Sequence, residues 1–379
     1  MAKKRKNGEG SWGKKTINGI TYYTFRDSNG KTYYGRTEKE VNEKRKDKKN
    51  DLAISPKTTF GDYISNWLTY KQGEIEQTTY QTYEGYILNL ILRFKDYNLA
   101  KKQIGSLSPR VFQTYLNALA KHYSRGSIIK MWAMIKQCVK YGELQNELPP
   151  NTTAMVKVPI ESRVAHKKKE IPFLSEEQAD KLYETLNYRD KKNVRRYINS
   201  TNAHGLILIL YTGMRAGELV ALKWKNVDMK NKKIKIEESA AIVKDENGKY
   251  TCIDKVPKSP ASIRYIPLPN RALEMLEYFK ENNVSTNPND YVCLTGNGTK
   301  ISKRNLNHTL DSMCDAAGLP RISVHALRHS YGSILLSKGI NIKIISELLG
   351  HAKIAITYDI YIGIKEEEKE AAIEAAFNN

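Results

Sequence analysis

The pattern of apolar and polar positions changes character along the 379-residue chain. Three short runs near the start, Gly10-Ser-Trp-Gly-Lys-Lys15, Ile20-Thr-Tyr-Tyr-Thr-Phe25 and Lys31-Thr-Tyr-Tyr-Gly35, are strand-like. Their aromatic and β-branched residues suit a pleated, half-buried surface. Asp27-Ser28-Asn29-Gly30 joins the last two, and its Asn-Gly is a strong hairpin-turn signal. A helix dense in Lys and Arg is expected from 38 to about 51. Residues 1–55 thus read as a three-stranded sheet backed by one helix.

From 59 to 155 the apolar period becomes helical. Phe60, Ile64, Trp67 and Leu68 form one stripe, and Tyr83, Ile87, Leu90, Ile91 and Phe94 a second. A third helix opens at Ser108-Pro109, Ser as N-cap and Pro in the first turn, and carries Val111, Tyr115, Leu116 and Leu119. A fourth is expected from about Ser127 to Leu144, stopped by Leu148-Pro149-Pro150-Asn151. The segment reads as an all-α four-helix bundle. Residues 156–172 read as a linker. Residues 173–379 read as mainly α with a small antiparallel sheet. Ser175 caps a helix, and a very apolar helix includes Ala203 to Tyr211. Lys233-Ile-Lys-Ile236 and Arg264-Tyr-Ile-Pro-Leu268 alternate like strands, with Asp245-Glu-Asn-Gly248 as a turn between them. The remainder is expected to be helical, down to a tail at 365–379 whose Ile373, Ala376 and Phe377 share a face.

Charge adds a partner class. The formal net charge is +21, which favours a polyanion, nucleic acid before an acidic membrane. No apolar run approaches the ~20 residues that span a bilayer, and Met1 to Asn7 is basic and polar, with no apolar signal segment behind it. Cys138, Cys252, Cys293 and Cys314 are scattered without paired spacing. They read as reduced thiols of a cytoplasmic protein, neither a zinc site nor a disulfide framework.

The last segment holds polar residues in apolar surroundings. Arg215 follows Tyr211-Thr-Gly-Met, where Gly213 breaks the buried helix. It is either paired to Glu218 or waiting for an anion. His325 and Arg328 are one helical turn apart and share a face; His329 reads as a structural hydrogen-bonder. Leu348-Leu349-Gly350-His351 ends another helix with Gly as its cap, and Thr357-Tyr-Asp-Ile-Tyr361 follows. Two arginines, two histidines and a lysine about one pocket suit a phosphodiester. Guanidinium groups bind its non-bridging oxygens bidentately and stabilise a five-coordinate phosphorus. A histidine near neutral pKa moves protons. The sequence shows neither a carboxylate cluster for two metals nor a Walker-type loop, so no metal, ATP or other cofactor is expected.

These motifs resemble those of the tyrosine recombinases, the integrases of phages and conjugative transposons in particular. They stand in family order as Thr212-Gly-Met-Arg215-Ala-Gly-Glu218-Leu219, Lys258-Ser259 ahead of the basic strand, His325-Ala-Leu-Arg328-His329-Ser330, Leu349-Gly350-His351 and Thr357-Tyr-Asp-Ile-Tyr361. Ser259 replaces the usual threonine, which keeps Lys255 as a rival to Lys258. Ile362-Gly363 follows the nucleophile segment where the family often has Ser-His or Ala-His, which keeps Tyr358 as a rival to Tyr361.

The resemblance implies a DNA recombinase that integrates and excises a mobile element through a 3′-phosphotyrosine. Tyr361 is then the nucleophile. Arg215, Arg328 and His351 hold the phosphate, His325 accepts the phenol proton, Lys258 protonates the leaving oxygen, and Glu218 orients the pocket. Residues 1–55 resemble an arm-type DNA-binding domain, with Lys14, Lys15, Arg26, Lys31 and Arg36 toward a groove. Residues 59–155 resemble a core-binding domain, and 173–379 the catalytic domain. Lys167, Lys168 and Lys169 are either solvated linker or a strap on phosphates. The implied partners are duplex DNA at core and arm sites, a homotetramer on that DNA, an excisionase and a host DNA-bending protein. A nicking-resealing enzyme of the type IB topoisomerase kind and a catalytically silent DNA-binding regulator on the same fold remain as alternatives.

Overall fold

The computed structural model describes residues 11–17, 19–26, 32–42, 53–166, 172–187, 201–245, 248–256 and 262–361. The chain divides into two compact units, Met1–Lys169 and Glu170–Asn379.

The first unit opens with the three expected strands, β1 (Ser11–Ile17), β2 (Ile20–Arg26) and β3 (Thr32–Gly35), antiparallel in the order β1-β2-β3. Trp12 and Tyr33 both stand opposite Phe25, and the Trp12 and Phe25 rings meet edge to face at 5.2 Å. Residues 38–42 are helical, and Val41 is fully buried. A Cβ on Gly35 would come within 2.8 Å of Val41 Cγ2, so the helix backs the sheet at this close approach. The expected turn at Asp27–Gly30 and the rest of the helix to 51 lie outside the described residues.

Four helices follow: α1 (Phe60–Tyr70), α2 (Gln77–Tyr86), α3 (Pro109–Ala120) and α4 (Arg125–Leu144). Their apolar stripes meet in one core around Phe60, Ile64, Ile91, Phe112, Leu116 and Ile135. Pro109 occupies the first position of α3 as expected, but the Ser108 side chain makes no capping hydrogen bond. Between α2 and α3 the chain continues as a π-helical stretch, Ile87–Leu92, and the Leu90 carbonyl accepts the Tyr115 hydroxyl at 2.7 Å. That bond satisfies a buried phenol among apolar neighbours. α4 starts earlier than its spacing predicts, because Ser124 rather than Ser127 caps it. It stops before the prolines are reached: the Gly142 carbonyl accepts the N–H groups of Glu147 and Leu148, with Asn146 turned to φ 57°. The described part of the expected linker is strapped to this bundle. Val164 is buried in its core, and Gln113 bonds both the N–H and the carbonyl of Lys157.

In the second unit, α5 (Glu176–Glu184) begins with a capping box between Ser175 and Gln178. Helix α6 (Thr201–Thr212) is buried on every side from Ala203 to Leu210, as expected of a helix without a polar face. Helices α8 (Asn270–Asn282), α9 (Lys303–Ala316) and α10 (Val324–Ser337) pack around it. Short α7 (Ala216–Ala221) leads into β4 (Val227–Asp228), β5 (Lys233–Ile236) and β8 (Arg264–Pro267), an antiparallel sheet in which Ile234 faces Ile266. A separate hairpin, β6 (Ser239–Lys244) with β7 (Tyr250–Lys255), flanks the expected turn. The sequence pattern missed it because Ala240-Ala241-Ile242-Val243 runs apolar without alternation and most of β7 is exposed. The unit ends with α11 (Ile342–Leu349) and α12 (Ile354–Tyr361). Among the described residues no helix is long and apolar enough to cross a membrane.

Gly213 ends α6 at φ +65°, and a Cβ there would lie 2.4 Å from Cδ1 of Tyr331. Left-handed backbone and ring contact exclude a side chain together. Gly213→Ala should therefore destabilise the protein by about 2–4 kcal/mol, the sum of a left-handed alanine and an overpacked contact. The check is the urea midpoint, which should fall at unchanged slope.

Candidate active site

The site is assembled at the C-terminal end of α11. A helix leaves its last carbonyls without intrahelical partners, and a left-handed glycine usually turns the chain away there. Gly350 does so, at φ 65° and ψ 48°. Three arginines from three other elements then take three successive carbonyls. Arg264 Nε donates to Leu348 O at 2.6 Å, an Arg328 Nη donates to Leu349 O, and Arg215 Nη2 donates to Gly350 O at 3.1 Å. Positive charge at a helix C-terminus is also favoured by the helix dipole.

Each arginine is placed by local structure. Arg215 is the N-cap of α7, just beyond the Gly213 turn. Glu218, three residues on, accepts the Arg215 backbone N–H at 2.8 Å and its Nη1 at 2.7 Å. From the other side Arg264 donates Nη1 and Nη2 to the same carboxylate, at 3.1 and 2.9 Å. Arg328, on α10, sends its other Nη to Gly213 O at 2.8 Å. Burial alone would raise the Glu218 carboxyl, but the hydrogen bonds and charge of Arg264, with the charge of Arg215, hold it below the usual carboxylate range.

Exposure sorts the residues into two rows. His325 is exposed, and Arg215 and His351 are half-buried. Behind them Glu218, Arg264, Arg328 and His329 are buried, Arg328 to 1%. The His325 and His329 rings meet edge to face at 4.6 Å. Desolvation, then the charges of Arg328 and Arg215, lowers the His325 imidazole. Desolvation and the charges of neighbouring histidines and arginines push His329 and His351 down to about 4. Nδ1 of His351 lies 2.8 Å from Oγ1 of Thr357, which is fully buried on α12. That bond ties the Leu-Gly-His turn to the helix ending at Tyr361, one turn beyond Thr357.

The structure therefore brings together Arg215, Glu218, His325, Arg328 and His351. It places the backbone of Tyr361 at the end of α12; its side chain is outside the described set, and Tyr358 is exposed. Lys258, Lys31, Lys167, Lys168 and Lys169 lie outside the described residues. Lys14, Lys15, Arg26 and Arg36 are exposed in the first unit, Lys14 with its Nζ 4.6 Å from the Tyr23 ring centre. Sequence reasoning missed Arg264 as part of this site and read it only as a strand residue. A signal existed: alternation puts Arg264 in phase with Ile266 and Leu268, and an arginine at an inward position needs a buried partner.

A family model described as Phage integrase family matches residues 172–368, and one described as Phage integrase, N-terminal SAM-like domain, matches 59–120. A XerC-like tyrosine recombinase of Caldanaerobacter subterraneus subsp. tengcongensis is 30% identical over 389 residues, covering 94% of this chain and 96% of the relative. The integrase of Staphylococcus phage L54a is 27% identical over 353 residues, covering 86% and 95%. In fold, the chain is similar to the Tn1549 transposon integrase in complex with a circular intermediate DNA. The TM-score is 0.65 at 16% identity, over 80% of this chain and 95% of that one. It is also similar to a lambda integrase dimer bound to a COC′ core site, with a TM-score of 0.56 at 16% identity, over 92% and 93%.

The low imidazole values have a consequence for stability. His329 and His351 bind protons less readily in the native state (about 4) than when unfolded (6.5). Their contribution is thus fully present above about 6.5 and is lost as pH falls toward about 4. His329→Gln should flatten the decline of the urea midpoint between pH 7 and 4. A profile parallel to that of the wild type would contradict the buried-neutral assignment.

Proposed function

The chain belongs to the phage integrase family, the tyrosine recombinases, and on that premise we propose how its pocket performs strand exchange. The enzyme is an integrase that catalyses site-specific DNA recombination. The observation carrying the mechanistic reading is the set of guanidiniums gathered on the last turn of α11, with Glu218 as the carboxylate shared by Arg215 and Arg264. A site with more positive than negative charge, in surroundings drier than water, is suited to a phosphodiester and to the charge that grows on it in the transition state.

In this reading Arg215 and His351, which ligand can reach, contact the non-bridging oxygens of the scissile phosphate. Arg328 contributes its charge from behind; direct ligation by its Nη groups requires the Leu349 or Gly213 carbonyl to give way. The phenol oxygen of Tyr361 attacks phosphorus, the P–O5′ bond breaks, and a 3′-phosphotyrosine forms. The phenol proton passes to His325, whose lowered proton affinity keeps it neutral and receptive at pH 7. Lys258 gives a proton to the departing 5′-oxygen. The phosphotyrosine retains the energy of the broken ester, so a 5′-hydroxyl of the partner strand reverses the step without ATP. The place of Tyr361 at the end of Thr357-Tyr-Asp-Ile-Tyr361, after Leu349-Gly350-His351, favours it as the nucleophile.

The partner in this reading is duplex DNA, gripped by residues 59–155 and 173–379 at core sites and by the sheet of residues 1–55 at arm sites. A small ribbon fits a major groove, and Lys14, Lys15, Arg26, Lys31 and Arg36 are its cations. Lys167, Lys168 and Lys169 are further candidates for phosphate contacts, against the reading of a solvated linker. Four such active sites on paired duplexes make a homotetramer, with an excisionase and a host DNA-bending protein setting direction, and the reaction takes place in the cytoplasm.

Tyr361→Phe should bind DNA as the wild type does and form no covalent complex on a nicked suicide duplex, read on a denaturing gel. A shifted band from this variant would refute the assignment, and loss in Tyr358→Phe alone would move it. Because Glu218 is already held by two guanidiniums, it makes a poor metal ligand. Cleavage should accordingly persist in excess EDTA; abolition by EDTA with recovery on adding magnesium would overturn the mechanism.

A further inference from the structure

Arg264 has no role in the chemistry above, and its side chain, 6% exposed, has no route to substrate. Its guanidinium is nevertheless committed on every side. It forks onto both oxygens of Glu218, and it also holds Leu348 O and, at 3.2 Å, Ser262 O. Glu218 in turn grips Arg215 by backbone and side chain together. A carboxylate on a rotatable side chain can aim a guanidinium only if it is itself fixed. Arg264 supplies that fixation from behind, in the planar two-point geometry that a lysine cannot reproduce. Its bond to Leu348 O also connects strand β8 to the turn that carries His351.

We propose that Arg264 is a positioning residue of the cleavage reaction, locking Glu218, and through it Arg215, against the last turn of α11. The proposal rests on the reading of Arg215 as a phosphate ligand. It predicts that loss of the fork, with the charge kept, slows chemistry more than it weakens DNA binding, because small misplacements of a phosphate-holding group are costly in rate.

The test uses the full chain as wild type, Arg264→Lys, Arg215→Lys and the double variant. Single-turnover cleavage of a saturating suicide duplex is compared, with folding checked by urea unfolding and rates referred to the folded fraction. Arg264→Lys should bind the duplex normally and cleave it about 100-fold more slowly, the scale of loss from a misplaced group. The double variant should be no slower than Arg215→Lys alone, since no fork then remains to aim. A second readout replaces one non-bridging oxygen of the scissile phosphate by methyl. This removes the charge that Arg215 meets, so the Arg264→Lys defect should shrink. Should Arg264→Lys fold poorly, Arg264→Gln, an uncharged donor, takes its place in the same comparisons.

Fully additive losses, or an equal defect on the neutral substrate, would make Arg264 merely structural while leaving Arg215 as the ligand. Wild-type cleavage by Arg215→Lys would instead remove the ligand reading and the positioning role together.

Discussion

The second unit is organised around the unfilled end of one helix. α11 stops at a left-handed glycine, and the carbonyls it leaves open are filled by guanidiniums from α7, β8 and α10. Each of those elements is otherwise a separate piece of the architecture: a short helix after the central one, a sheet strand, and a helix packed against α6. Binding to the same turn brings them into register. The arrangement is demanding, because gathering like charges in a poorly solvated place is unfavourable unless each finds hydrogen bonds. Glu218 offsets part of that repulsion, and the peptide carbonyls satisfy donors without cancelling charge. The residual field remains positive, which is what an anionic ligand would find there.

Burial first, and the same field after it, accounts for the histidines. Two of the three imidazoles near the arginines, His329 and His351, are pushed to about 4 and the third, His325, is lowered as well, so all three favour the uncharged form at neutral pH, with only His325 and His351 in the accessible row. One set of residues thereby separates two tasks. Guanidiniums, which do not deprotonate, supply permanent charge; imidazoles, kept neutral by burial and then by those charges, are the proton acceptors and hydrogen-bond donors of the proposed mechanism. The separation into an accessible row and an enclosed row follows from packing. Arg328 and Arg264 brace backbone and carboxylate, while Arg215, His325 and His351 remain within reach of a ligand.

The first unit obeys simpler rules. Aromatic residues at paired positions of a small sheet, and apolar stripes on four helices, bury what they must and leave lysines and arginines outside. Its departures from expectation are local. A serine three residues earlier caps α4, and a glycine carbonyl ends it before the prolines. The segment after it lies on the bundle because Val164 is apolar enough to enter the core.

The sequence by itself determined what is local and periodic. The strand runs near the N-terminus, the four apolar stripes, the buried α6, the glycine stops at Gly213 and Gly350, and the pairing of His325 with Arg328 on one face all follow from short-range spacing and backbone sterics. Spacing together with resemblance also picked out Arg215, Glu218 and His351. Only the tertiary structure decided how these residues divide the work. That Arg264 clasps Glu218 and holds the Leu348 carbonyl, that Arg215 holds the Gly350 carbonyl, and that Arg328 is enclosed while His325 is open depend on groups meeting across 46, 84 or 135 positions of chain or on how elements shade one another. The β6–β7 hairpin escaped notice for a related reason: its stability comes from strand pairing and from its contact with α7, and neither leaves a period in the sequence. Spacing records what a residue's neighbours in the chain require; a charge buried against a distant carbonyl is recorded only in the packed molecule.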